Sequence, residues 1–101
     1  MTQATFAPAA VRDLAEAMGW IAGDNPAAAR ALRDGVVTAA MMIAAHPRAG
    51  RARPEIVDGP YLFFVVTGFP YVIVYNAERV PPRIVRVLQG ARDLPEVLRG
   101  V

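Results

Sequence analysis

Eleven basic residues, every one of them arginine, face nine carboxylates in this 101-residue chain, which has one histidine, no lysine and no cysteine. That inventory limits the available chemistry. A guanidinium stays protonated in a protein, so it grips anions but does not accept a proton as a general base. The lack of cysteine removes a thiolate nucleophile, a thiolate zinc site and a disulfide scaffold. His46 is the only imidazole. It precedes Pro47 at the expected end of a helix, where a cationic ring favours the last carbonyls. No phosphate-cradling glycine loop, metal-ligand spacing or Ser-His-Asp set is visible. The residues therefore imply no cofactor and no metal.

Among the arginines, Arg86 stands out. In Arg83–Gln89, strand alternation puts Ile84, Arg86 and Leu88 on one face and Arg83, Val85, Val87 and Gln89 on the other. An arginine flanked by Ile and Leu is partly desolvated. It needs a partner, either an internal carboxylate or an external one. Arg48, Arg51 and Arg53 form a basic loop that reads either as a solvated turn or as a contact for an acidic segment or phosphate. Arg92 sits exposed in a Gly90-Ala91-Arg92-Asp93 turn. Tyr61, Tyr71 and Tyr75 lie in strand patterns, with most of each ring expected in the core. Asp93 and Glu96 complete the short supply of proton carriers, and Asp93 is expected to cap the last turn or pair with Arg92.

Elements of regular structure must position these groups. Pro8 suits the first turn of a helix, and Val11, Leu14, Ala15, Met18, Ile21 and Ala22 mark one face until Gly23. Asn25-Pro26 restarts a helix, with Ala29, Leu32, Val36, Ala39, Ala40 and Ile43 as its buried stripe, ending before Pro47. The short gap makes the two helices an antiparallel hairpin. Val37 and Met41 lie opposite the second helix's buried stripe. They are either covered by the neighbouring helix or a loop, or offered to a partner. His46–Gly59 reads as a loop. Tyr61–Val66, Tyr71–Tyr75 and Arg83–Gln89 read as strands, and Gln3–Phe6 as at best a brief edge strand. YVIVY is apolar throughout, as a central strand would be. The expected fold is α+β, in order β-α-α-β-β-β: a helical hairpin on one face of a small, mainly antiparallel sheet, in two layers and one domain over residues 1–101.

The net charge of +2 is too small to announce nucleic-acid binding by itself. The longest apolar stretch, Val36–Ala45, is far short of a spanning helix, and the N-terminal residues carry no secretory pattern. The expectation is a soluble, cytoplasmic protein that does not engage a membrane.

Five segments carry a likeness to a known family. Phe6-Ala7-Pro8-Ala9-Ala10 with Arg12-Asp13-Leu14 resembles an opening F-x-P-x-A-x-x-D-L. Asp24-Asn25-Pro26-Ala27-Ala28-Ala29 resembles an entry to the second helix. His46-Pro47-Arg48-Ala49-Gly50-Arg51 resembles an x-P-x-x-G-R loop. Gly68-Phe69-Pro70-Tyr71-Val72-Ile73-Val74-Tyr75 resembles a central hairpin. Ile84-Val85-Arg86-Val87-Leu88-Gln89-Gly90-Ala91-Arg92-Asp93 resembles a closing I-x-R-V-x-H-G-x-R-D. In this order they resemble the RelE/ParE toxin superfamily of bacterial type II toxin–antitoxin systems.

The resemblance implies a growth-arresting, plasmid-stabilising toxin, neutralised by a cognate antitoxin with an acidic or amphipathic C-terminal segment. One branch cleaves mRNA on the ribosome; the ParE-like branch inhibits DNA gyrase. Two departures bear on the choice. Tyr61-Leu62-Phe63-Phe64 stands where family members often carry Arg, and Gln89 replaces the usual His. Metal-free RNA cleavage needs a base, an acid and cations on the phosphorane. This chain is rich only in the cations, with Arg86, Arg92 and Tyr75 the weak catalytic candidates. The ParE-like reading is therefore preferred, with no catalytic step. The ribosome-dependent nuclease is the alternative, and a decayed member that only binds an antitoxin is the third. Arg86, Arg92, Arg48, Arg51, Arg53, Val37 and Met41 are the expected contacts with target or antitoxin.

Overall fold

A computed structural model describes residues 3–101 of the chain. Pro8 opens α1 (Pro8–Ala22), and its missing N–H falls where a helix has no use for one. The inner stripe of α1 is Ala10, Leu14, Ala17 and Ile21, with both alanines buried. Val11, expected on that stripe, is 53% exposed, and Ala15 is exposed as well. Two overlapping stripes satisfy the helical period here. The core takes the one centred on the small residues, because Ala10 and Ala17 allow close approach, which turns Val11 about 100° away.

Asn25 caps α2 (Pro26–Ala45), its Oδ1 accepting from the Ala28 N–H at 3.1 Å. All six residues expected on the inner face of α2 are buried. Asn25→Ala should lower stability by about 1 kcal/mol, read as a fall in melting temperature with unchanged native circular dichroism.

The sheet is ordered β1-β4-β3-β2. It comprises β1 (Thr5–Phe6), β2 (Tyr61–Val65), β3 (Tyr71–Asn76) and β4 (Arg83–Gln89). The brief first strand pairs parallel with β4, Thr5 opposite Arg83, while the other two ladders are antiparallel. The architecture is the expected α+β order, with the helical hairpin on one sheet face. YVIVY is central: Ile73 and Tyr75 join the helix-side core, and Val72 and Val74 face the other way. Gly68, at φ +85°, supplies the left-handed residue in the β2–β3 turn.

The second sheet face is also covered. The short α3 (Leu94–Val97) and Leu98 lie over Phe63, Val72, Val74 and Leu88, flanked by Ile56 and Val57 from the long loop. Asp93 occupies the N-cap position of α3, but its side chain makes no cap hydrogen bond and, among the described residues, no ion pair.

The expected alternation in β4 fails at its centre. A bulge sets Tyr75 opposite Ile84 and Val74 opposite Arg86, so β4 carries one extra residue there. Past it, Val87 joins Ile84 in the helix-side core, while Leu88 lies on the opposite face. Ile84, Arg86 and Leu88 therefore do not share a face, because one inserted residue reverses the sides that follow.

Candidate functional site

Arg86 has found an internal partner. Its Nε donates to Asp13 Oδ2 at 2.7 Å, and its Nη2 donates to Oδ1 at 2.9 Å. The Val87 N–H donates to the same Oδ2 at 3.0 Å. Asp13 thus binds α1 to the bulged stretch of β4 through three hydrogen bonds, and its side chain is only 10% exposed. The hydrogen-bonded carboxylate, opposed by partial burial, raises the Arg86 pKa further above the ordinary arginine range. Of the two partners open to Arg86 from sequence, the structure holds the internal one. The residue that makes it so, Asp13, lies in α1, a different element from Arg86. Its place within Arg12-Asp13-Leu14 gave no sign of the strand it meets some seventy residues later.

Tyr75 is fully buried, and both hydrogen-bonding roles of its hydroxyl are used. It donates to the Pro47 carbonyl at 2.7 Å and accepts from the Gly50 N–H at 2.9 Å. Burial raises its pKa above the ordinary phenol value. This hydroxyl commits its single proton to the Pro47 carbonyl inside the fold, so that proton is not presented for transfer. It instead clasps the basic loop to the sheet, at a point where only glycine fits: a Cβ on Gly50 would lie 2.7 Å from the Tyr75 hydroxyl.

The clasp positions the loop arginines. Arg48, Arg51 and Arg53 are all exposed. The Arg51 backbone pairs with Phe63 on the outer side of β2, and Arg53 makes an ion pair with Glu55 at 2.7 Å. Arg51 and Arg53 rim a groove floored by Phe63, Phe64, Val65 and Val72. On α2, Val37 is 39% exposed and Met42 48%, while Met41 is half-buried. His46 is exposed at the C-cap of α2, its backbone N–H donating to Met42.

Arg92 lies elsewhere, at a cleft of about 280 Å³ between α1 and the ends of β3 and β4. Asp13, Glu16, Ala17 and Trp20 form one wall, and Tyr71, Val87 and Gln89 the other. Trp20, the only tryptophan, is 84% exposed. Its signal in the sequence is a large aromatic on neither stripe of its helix. The structure thus separates the expected site residues into a loop group (Arg48, Arg51, Arg53), an α2 group (Val37, Met41) and a cleft residue (Arg92), with Arg86 and Tyr75 engaged inside the fold. Among the described residues no cluster of acidic or histidine side chains could hold a metal, and no helix is long and apolar enough to cross a membrane.

The family model described as the ParE toxin of type II toxin-antitoxin system, parDE, matches residues 4–94. No curated protein matches the chain.

Proposed function

The chain belongs to the ParE toxin family of type II toxin–antitoxin systems, and from that premise we propose that it arrests growth by binding DNA gyrase, with no catalytic step of its own. The observation that carries this reading is the state of the proton carriers and of Arg86. A metal-free nuclease must gather a base, an acid and free cations around one phosphate. Here the Tyr75 hydroxyl is doubly bonded inside the core, and Arg86 is held on Asp13. The sheet face opposite the helices is lined by Phe63, Val72, Val74 and Leu88 beneath Leu94 and Leu98. What stays exposed suits docking: arginines, an apolar strip on α2 and a tryptophan.

The cognate antitoxin, in this reading, lays an acidic or amphipathic segment against Val37, Met41 and the Arg48–Arg53 loop. The protein acts in the cytoplasm and stabilises the plasmid or locus that encodes the pair.

Expression without the antitoxin should produce filamentous cells and a DNA-damage response, and the purified chain should inhibit gyrase supercoiling. Rapid translation arrest with new 5′ ends inside mRNAs, and no effect on supercoiling, would instead establish the ribosome-dependent nuclease.

A further inference from the structure

We infer that the open edge of β4 beside Trp20 receives one extended segment of the cognate antitoxin, running parallel to β4. This deepens the toxin–antitoxin reading and rests on it.

The backbone sets the direction. The Thr5 N–H donates to Pro82 and the Ala7 N–H to Ile84, after which the chain departs into α1. Among the described residues, no strand covers this side of β4 beyond Ile84. The Tyr71 carbonyl is turned toward β2, where it accepts from Val66, and the Gly90 N–H donates to Pro70. By ladder alternation, Leu88 then bonds β3, while Val87 and Gln89 turn their polar groups outward.

Two of those four outward groups are committed. The Val87 N–H is held by Asp13, and the Gln89 carbonyl accepts from the Arg92 N–H. The Val87 carbonyl and the Gln89 N–H remain, without partners among the described residues. An antiparallel newcomer needs both groups of a single residue, and neither residue has both to give. A parallel newcomer needs a carbonyl and an N–H two residues apart, which is the pair left open. It would continue along β4 in the direction that β1 begins.

The side chains around this edge define what the segment carries. Trp20 and Ala17 offer an apolar wall, and aromatic anchors of this kind dominate binding energy. Arg92 makes no ion pair among the described residues and faces the same cleft. Glu16 lies on the α1 side and disfavours a second acid there. The fitting segment therefore sets an apolar side chain against Trp20 and a carboxylate at Arg92.

The test uses the full chain and the antitoxin from the adjacent reading frame, with any antitoxin tryptophan replaced by phenylalanine. Trp20 then reports alone. Complex formation should shift its emission to the blue. Trp20→Ala and Arg92→Glu should each weaken binding at least tenfold, with melting temperatures unchanged at these exposed positions. A complex with unmoved emission and full affinity in both variants overturns this inference and leaves the pairing intact. A blue shift that grows with concentration in the toxin alone overturns it in favour of a second copy. Failure to form any complex overturns the pairing reading and this inference together.

Discussion

Arg86→Ala should cost about 3 kcal/mol of folding stability, a loss visible as an early thermal transition and a reduced urea midpoint. The substitution strips a carboxylate that is 90% shielded of two charge-assisted hydrogen bonds and leaves it with the Val87 amide alone. Asp13→Ala should be comparably damaging, since it orphans both the guanidinium and that amide. The double variant should fall well short of the sum, because each single change has already broken the same unit. Arg86→Lys should not restore the wild-type value, as a point charge cannot serve both carboxylate oxygens. Because the Arg86 pKa is raised, the stability it contributes is complete below the ordinary arginine range. It is lost only as pH climbs through the folded value, so melts at neutral pH read the full effect. A binding-only role for Arg86 would leave every one of these melts unchanged.

The second large effect centres on Tyr75. Tyr75→Ala removes a fully buried ring and should cost about 3–5 kcal/mol. Tyr75→Phe is the sharper experiment. It keeps the ring but orphans the Gly50 N–H and the Pro47 carbonyl, for about 1–3 kcal/mol. The raised phenol pKa has a further consequence with a defined sign. In the unfolded chain Tyr75 ionises near its ordinary value of 10.0, whereas the folded protein resists. Its contribution is therefore complete below pH 10 and declines as pH rises beyond it. Wild type should lose stability more steeply than Tyr75→Phe in that alkaline range, and equal slopes would show that the hydroxyl is not held as described. Both variants should also loosen the loop bearing Arg48, Arg51 and Arg53, and so weaken antitoxin binding beyond what the unfolded fraction explains.

What could be read without coordinates divides along physical lines. Periodicity and punctuation are local, and they located both long helices and the three principal strands to within a residue at each end. Asn25-Pro26 and Pro47 bounded α2, and the unbroken apolarity of YVIVY marked the central strand. The errors arose where tertiary packing chose between local solutions. Ala10 and Ala17 won the inner stripe over Val11 because size, not hydrophobicity alone, sets how closely helices approach. The bulge opposite Val74 and Tyr75 had no glycine to announce it, so strict alternation placed Leu88 on the wrong side. The need of Arg86 for a partner was legible from its apolar neighbours; the identity of that partner was not, since Asp13 lies in another element. Trp20 is not legible from helical periodicity, which marks the side chains that go inside and is silent on those left out.

The parallel pairing of β1 has a kinetic consequence. The β2–β3 and β3–β4 ladders close through short connections, whereas joining Thr5 to Arg83 demands that nearly the whole polypeptide first be gathered into a loop. A two-residue strand repays that closure with few bonds. The meander is therefore expected to nucleate early and the N-terminal latch to engage last and release first, exposing a longer run of β4 whenever it opens.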